Sequence, residues 1–575
     1  MHLKDKILFL LSEKQKKDLG ILTVLLFVGL LFEMIGLGIL LPVIAILIND
    51  NIQEKFPSIT PILNLFGNPS QKSLIIIIMT FLVFIYLIKS TYLLFLGWKQ
   101  SKFSSELSAD LSKRLFEGYL LQSYEFHLSR NTSEFLRNIK DEIYQFTFVS
   151  QAVISLSLEL SVILGAVAML FFIEPLGALI VTLSFVILAG VYYKLFQKKI
   201  FFWGLIRQDS DEKINKHLMH GFGGIKELKL TGRETYFLDL FSIINNIKAN
   251  ISTKQSTLQQ IPRLYLELLG VMGLSGLIIS FVIQGKPINN LVPILGLFVA
   301  AAFRMIPSAN RVIGFMQSIR FAQPVINLLY DEFNLIQDRT FNNSNFKTCK
   351  IKFDKSIVIE NLTFGYLGSN KLILDKINFK VFKGESIGIV GPSGSGKSTL
   401  VDLLLGLLRP RSGHILVDNV DININIKSWQ SQIGYVPQNV FLSDDTLAKN
   451  IAFGIDEHLI NYEQLLLSIK FAQLEEFVSN LPNGINSEVG ERGSRISGGQ
   501  RQRIGIARAL YYNPELLVFD EATSALDNNT ELEVMEVINS LKRSRTILII
   551  AHRLTTIENC DKVFEVKDGT IQQLG

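Results

Sequence analysis

The chain has 575 residues, too many for one compact core and enough for two or three domains. Hydrophobic residues make up 48% of it and its mean hydropathy is +0.31, more apolar surface than a water-soluble protein of this size needs, so membrane segments are expected. The formal charge of +5 is small for this length and argues against nucleic-acid binding, and the two cysteines, Cys349 and Cys560, lack the spacing of a zinc site.

Residues 1–20 are charged and contain no short apolar core followed by a small-residue cleavage site, so no removable signal peptide is expected. Ile7-Leu8-Phe9-Leu10-Leu11, set between lysines, reads as a short amphipathic helix lying on the inner membrane face. Six apolar runs then reach the roughly 20 residues needed to cross a bilayer. They lie near 21–48, 74–98, 147–172, 176–196, 264–284 and 291–314. The loops after the second and fourth runs are long and basic, with Lys99, Lys102, Lys113, Arg114, Arg130, Arg137 and Lys140, then Lys194, Lys198, Lys199, Arg207 and Lys213. The opposite loops hold only Lys55, Lys72 and Lys286, which places the N-terminus and the basic loops on the cytoplasmic side. These loops read as helical continuations of the spans. Gly224-Ile225-Lys226-Glu227-Leu228-Lys229 is either a region that touches a following soluble domain or an ordinary solvated helix surface.

A membrane domain over 1–335 is therefore expected, then a polar, Asn-rich linker over 336–354. From 355 to 575, short β-rich runs alternate with helical ones, the pattern of a soluble α/β domain. Within it, the buried-strand run Ile387-Gly388-Ile389-Val390 enters Gly391-Pro392-Ser393-Gly394-Ser395-Gly396-Lys397-Ser398, followed by a helix opening at Thr399-Leu400. This is the G-x-x-x-x-G-K-[ST] phosphate loop: glycines let backbone amides wrap the phosphates, and the helix N-terminus adds its dipole. Lys397 is expected to neutralise β/γ-phosphate charge and Ser398 to ligate magnesium. Leu516-Leu517-Val518-Phe519-Asp520 reads as a strand ending in a second magnesium ligand, and Glu521 is placed to polarise the attacking water. Gln438, after the strand run 433–436, is expected to sense the γ-phosphate and metal. His552, beyond the strand run 546–550, is expected to contact the γ-phosphate, and Tyr366 to stack on adenine.

Ile496-Ser497-Gly498-Gly499-Gln500 offers a second set of amides at a helix start. With these residues the chain resembles the ABC ATPases, in which this signature closes over ATP held by the phosphate loop of the other subunit. Ile496 stands where the family usually has leucine. Val489-Gly490-Glu491-Arg492-Gly493 resembles the element by which exporters sense the membrane domain, and Ser524-Ala525-Leu526-Asp527 resembles the family's D-loop. The resemblance covers essentially the whole chain. It implies a six-helix transmembrane domain with long cytoplasmic extensions, then a cytoplasmic α/β P-loop ATPase domain that uses ATP and Mg²⁺. With one ATPase domain per chain, the working unit is a dimer, most simply a homodimer.

The apolar half also carries costly charges: Lys89 in the second run, Arg263 at the start of the fifth, and Arg304 and Arg311 in the sixth. Arg304 and Arg311 are spaced to share a helix face at roughly 10 Å. Together the four could form a cationic belt for a phosphate or diphosphate. The plainer alternatives are snorkelling of Lys89 and Arg311, pairing of Arg263 with Glu267, and neutralisation by Glu33 and Glu159. Residues 262–267 and 303–311 resemble the bacterial ABC flippases for lipid-linked oligosaccharides, which implies a polyprenyl-diphosphate sugar moved from the inner to the outer leaflet of the bacterial cytoplasmic membrane. Residues 56–66 read either as an apolar-faced surface segment for the polyprenyl tail or as a loop docked on the bundle. The rival expectations are an exporter of another lipid or of hydrophobic drugs, and an ATP-gated membrane regulator, against which the intact hydrolytic set speaks.

Overall fold

The computed structural model describes residues 3–38, 71–173, 175–283, 288–340, 350–366, 368–369, 371–490, 496–522, 528–551, 553 and 556–574. They form two compact units: Met1–Gln122 with Arg130–Phe341, and Ser123–Ser129 with Asn342–Gly575.

The first unit is helical: α1 (Leu3–Leu10), α2 (Glu13–Gly38), α3 (Gln71–Leu120), α4 (Ile143–Ile173), α5 (Pro175–Gly223), α6 (Glu234–Ile283), α7 (Ile288–Phe321) and α8 (Gln323–Thr340). Helices α2 to α7 carry the six apolar runs, apart from residues 39–48 and 284, which lie outside the described residues. Among the described residues, Glu13–Gly36, Ile75–Leu120 and Thr132–Ala168 are long and apolar enough to cross a membrane by length and composition. Helices α3 and α6 have 50 residues each and α5 has 49. At about 1.5 Å per residue each is far longer than a hydrocarbon core of about 30 Å, so each extends well beyond it. On α3, Phe81, Val83, Phe84 and Leu87 are exposed, as a lipid-facing surface would be.

Two apolar clusters hold α4 to α7 together. Ile163, Ala166 and Leu170 of α4 meet Leu266 of α6 and Met305, Ala309 and Val312 of α7. Farther along, Tyr192 and Ile200 of α5 pack with Ile251 and Leu258 of α6 and Ile313 and Phe321 of α7. Glycine allows close approach: a Cβ on Gly204 of α5 would run into the backbone carbonyl of Phe321. The polar extensions are joined by charge. Glu142 is fully buried and accepts from Arg207 at 2.9 Å, and Arg207 also donates to Asp211 at 2.7 Å. Lys248 of α6 reaches the same Asp211 at 2.6 Å.

Three expectations change in detail. Helix α1 forms, but its apolar side is taken up by α8: Leu10 is fully buried, Phe9 meets Tyr330 edge-on at 5.0 Å, and Lys6 donates to Asn327 at 2.8 Å. The expected linker, 336–354, is shorter at both ends. Helix α8 runs on to Thr340, and Ile351 and Phe353 are buried in the second unit, their amides bonded to Ser428 and Gln432. Finally, Ser123–Ser129, expected within the membrane domain, belongs to the second unit. Residues 225–231 form a short helix in the first unit, ended by Gly232 at φ 61°.

The second unit holds two sheets. One is antiparallel, order β2-β1-β4-β5, from β1 (Ser356–Phe364), β2 (Leu374–Phe382), β4 (Ser412–Val417) and β5 (Val420–Asp421). The other has order β10-β9-β3-β8-β7-β6, from β3 (Ser386–Val390), β6 (Ile433–Val436), β7 (Leu516–Asp520), β8 (Thr546–Ile550), β9 (Lys562–Lys567) and β10 (Thr570–Leu574). Its strands are parallel except for the β9–β10 pair. All residues of β3 and β8 are buried, which explains their unbroken apolar runs: a central parallel strand is covered on both faces. Parallel strands end on one edge, and the loops leaving β3, β6, β7 and β8 all emerge there.

The Gly204 contact can be tested against Gly190 on the same helix, around which an added Cβ would meet nothing within 4 Å. Gly204→Ala is expected to lower the thermal midpoint of the purified protein, at an overpacking cost of about 1–3 kcal/mol. Gly190→Ala should leave the midpoint where it is or raise it.

Candidate functional site

The phosphate loop joins β3 to α9 (Lys397–Leu404). Gly391, Gly394 and Gly396 have φ of 150°, 79° and 104°, a region that side-chain-bearing residues enter only at a cost. A Cβ at Gly391 would also strike the carbonyl of Val566. The loop's glycine spacing is therefore a backbone requirement. Lys397 is 5% exposed, and its ammonium donates to the carbonyls of Gly391 and Pro392 at 2.9 and 3.0 Å. Ser395 Oγ is buried with no hydrogen-bond partner among the described residues.

Across the strand ends lie Asp520, closing β7, and Glu521. Burial raises the Asp520 pKa, and the neighbouring Glu521 charge adds to that, against a hydrogen bond from Tyr435 and the charge of Lys397. Tyr435 donates to Asp520 Oδ2 at 3.2 Å. Asp402, on α9, is pushed up to about 6 by burial and then by the Asp520 charge. Lys397 is lowered by burial, with Glu521 and Asp520 opposing. Two carboxylates thus face one buried ammonium and a third, Asp402, lies against Asp520, a balance that favours added positive charge. Glu521 itself sits at φ 49°, with its amide donating to the carbonyl of Ile550 at 3.0 Å. Such strain at a non-glycine residue is a common mark of a working site. Gln438 Nε2 donates to Glu521 Oε2 at 2.7 Å, joining two of the expected residues directly.

These donors fit a nucleotide with Mg²⁺. Among the described residues no group of three or more His, Cys, Asp or Glu side chains could hold a metal alone. Magnesium needs no such cage, since it keeps waters and takes most of its remaining ligands from substrate phosphates. Ser398, Asp520 and Gln438 are the residues that would complete its shell. Tyr366 is 38% exposed, meets Phe364 edge-on at 5.2 Å, and shares a hydrogen bond of 3.4 Å with Thr399 Oγ1, so its ring stands beside the phosphate loop.

The signature residues open α10 (Gly498–Tyr511). Ser497 Oγ accepts from the Gln500 amide at 3.3 Å, while Gln500 Oε1 accepts from the Ser497 amide at 3.0 Å. This reciprocal cap fixes the helix start, with Gly498 and Gly499 in its first turn. Gln502, missed from the sequence, is buried and donates to the Gln438 carbonyl at 2.7 Å, tying α10 to the loop that carries Gln438. Tyr435, Asp402 and Tyr124 were missed too. Tyr124 belongs to the short segment that joins this unit, and its hydroxyl pKa is raised by burial and then by the charges of Asp402 and Tyr366. No local motif marks these residues; only tertiary pairing does. His552, the expected D-loop 524–527, and residues 491–493 of the expected exporter element lie outside the described residues, as does the surface segment 56–66.

In the membrane unit the expected four-cation belt is divided, and each cation has a carboxylate. Lys89 and Arg304 converge on Glu33 at 2.8 and 2.5 Å. Arg311 makes a two-point pair with Glu159 at 2.6 and 3.2 Å, and Arg263 pairs with Glu267 one turn on at 2.9 Å. Arg304 and Arg311 share α7 but reach different neighbours, α2 and α4. Arg263 and Arg311 line a cavity of about 660 Å³ with Glu267, Phe303, Ile306 and Asn310, and the Asn310 Oδ1 is buried without a hydrogen-bond partner among the described residues.

Comparison with known proteins agrees in both halves. Residues 19–285 match the ABC transporter transmembrane region and residues 374–524 match ABC transporter. A relative from Methylobacillus flagellatus named ATP-dependent lipid A-core flippase is 44% identical over 221 residues, 38% of this chain and 38% of that one. A relative of the same name from Ralstonia nicotianae is 29% identical over 476 residues, 82% and 79% of the two chains. The structure of a bacterial Atm1-family ABC exporter with ATP bound superposes with a TM-score of 0.77 at 22% identity, over 97% of this chain and 95% of that one, so the fold is shared. The chain belongs to the ABC transporters, with an exporter-type helical transmembrane region followed by the ATPase domain through which that family couples ATP hydrolysis to transport.

Proposed function

We propose that the chain is one half of a homodimeric exporter that uses ATP to flip a polyprenyl-diphosphate-linked oligosaccharide from the inner to the outer leaflet of a bacterial cytoplasmic membrane. The observation that carries the substrate reading is the cavity bearing Arg263 and Arg311 on otherwise largely apolar walls, with Lys89 and Arg304 gathered at Glu33. Guanidinium forks suit phosphate oxygens, and cations within a membrane unit are costly unless they serve a pathway. The Asn310 oxygen, without a partner among the described residues, offers an acceptor to a hydroxyl, which a sugar supplies. A second reading, another phosphate-bearing lipid, draws on the relatives named lipid A-core flippase. A hydrophobic drug would make no use of the guanidinium charges of Arg263 and Arg311 in the cavity wall.

In the ATPase domain, Glu521 acts as general base toward a water, and its bond from Gln438 holds the carboxylate in place. Lys397 leaves its two carbonyl partners to meet phosphate oxygens, gaining an ionic contact in exchange. Mg²⁺, which Ser398, Asp520 and Gln438 would help hold, would supply charge neutralisation for the phosphates. Ser497, Gly498 and Gly499, at the N-terminus of α10, present amides to the nucleotide held by the partner chain. Nucleotide binding draws two such domains together, and hydrolysis with product release lets them part, which turns the membrane cavity between leaflets.

The test is ATPase activity in lipid with and without a polyprenyl-diphosphate oligosaccharide. Stimulation by the glycolipid is expected; indifference to it, with stimulation by another lipid or a hydrophobic drug, would replace the substrate and keep the exporter. Glu521→Gln should cut turnover by about 10²–10⁴-fold while ATP still binds. Arg263→Ala and Arg304→Ala should each raise the half-saturating glycolipid concentration roughly 10- to 100-fold, the worth of a hydrogen bond to a charged group. Unchanged glycolipid response in both variants would remove the arginines from substrate recognition.

A further inference from the structure

The group at Glu33 differs from the other two ion pairs of the expected cation belt. Arg311–Glu159 and Arg263–Glu267 are one-to-one pairs, whereas Glu33 faces two cations. One of its oxygens lies 2.8 Å from Lys89 Nζ of α3 and the other 2.5 Å from an Arg304 nitrogen of α7. The Glu33 side chain is 4% exposed, against 12% for Lys89 and 29% for Arg304, so a single buried negative charge is shared between two positive ones, of which Arg304 is the more open. Among the described residues one positive charge of this group is left over, a costly imbalance within a membrane unit.

The surroundings are shaped to this group. A Cβ on Gly36, nearly one turn beyond Glu33, would come within 3.3 Å of Lys89 Nζ, so glycine leaves room for the ammonium. The Tyr86 ring lies 4.9 Å from that ammonium, and its hydroxyl donates to the Gly36 carbonyl at 3.3 Å. Arg304 Nε is buried with no hydrogen-bond partner among the described residues. The carboxylate therefore satisfies part of what the two cations can donate and leaves a donor and a unit of charge for another oxyanion. Carboxylate and phosphate oxygens compete for the same guanidinium fork.

We propose that Glu33 is an internal counter-ion that holds the oxyanion seat of Lys89 and Arg304, and so sets how much negative charge a headgroup must carry to take it. A diphosphate brings more charge and more acceptors than the carboxylate, engages both cations and Arg304 Nε, and displaces Glu33. A phosphomonoester is a poorer competitor, and a neutral lipid has nothing to offer. Selectivity then comes from a built-in rival as well as from attraction. This inference rests on the substrate reading above, that Lys89 and Arg304 meet a diphosphate.

The experiment uses the full-length protein in nanodiscs and follows ATPase stimulation against the concentration of polyprenyl diphosphate, polyprenyl monophosphate and inorganic pyrophosphate at matched free Mg²⁺. In Glu33→Gln the half-saturating diphosphate concentration should fall roughly tenfold, and the monophosphate, weak in the wild type, should become effective. Glu33→Asp keeps the charge on a shorter arm that cannot span both cations, so it should fall between the two. It also carries the test if Glu33→Gln is not monodisperse. Wild-type half-saturation and wild-type selectivity in these variants would overturn the role of Glu33 while leaving the diphosphate substrate in place. A pyrophosphate response that sharpens in the variants keeps the seat and moves its occupant from a lipid to a free anion. Indifference of wild type and variants to all three probes would overturn both the inference and the substrate reading.

Discussion

A charge withdrawn from water has to be met by another charge or by a ligand, and both units of this chain are organised by that demand. In the membrane unit Glu33, Glu159 and Glu142 are buried, and each holds an arginine from another helix. These pairs fix which faces of α2, α4, α5 and α7 look inward, where apolar side chains alone would tolerate many rotations. In the second unit the demand runs the other way. Asp520 and Glu521 face one buried ammonium, Asp402 lies against Asp520, and among the described residues the Ser395 hydroxyl of the phosphate loop has no hydrogen-bond partner. On the proposed reading a ligand supplies the rest: an oxyanion at Lys89 and Arg304, and magnesium with phosphate at the strand ends.

The parts most legible in the sequence are those whose chemistry is local. The phosphate loop reads directly because three of its glycines take positive φ and the next residue must be lysine at a helix start. The strands β3, β7 and β8 read directly because parallel strands covered on both faces become unbroken apolar runs. Asp520, Glu521 and Gln438 follow from those strand ends, and the Gln438–Glu521 bond joins two of them. The membrane helices are legible for the same reason, since a lipid-facing helix is apolar along its length.

What the sequence hides is tertiary pairing. The four membrane cations stand out as costly residues, yet their grouping depends on which helices are neighbours. Arg304 and Arg311 share a helix and still divide between Glu33 and Glu159. Tyr435, Gln502 and Asp402 carry no motif, and they matter because strand order and the placement of α10 bring them to the site. Residues 123–129 are an ordinary polar-aromatic stretch by composition, and only the fold assigns them to the second unit. The linker is misjudged at both ends because α8 outlasts its apolar pattern and because two buried residues, Ile351 and Phe353, sit within polar neighbours.

The central claim is that ATP turnover moves a diphosphate-linked glycolipid across the bilayer through these cations. The most direct measurement is translocation itself, in proteoliposomes whose ATPase domains face outward and which carry a fluorescently labelled polyprenyl-diphosphate oligosaccharide in the outer leaflet. ATP should progressively shield the label from an added membrane-impermeant quencher or glycosidase, and the non-hydrolysing Glu521→Gln protein should not. If ATP is consumed while the label stays fully accessible, and a lipid without phosphate is shielded instead, the account of the cations is contradicted.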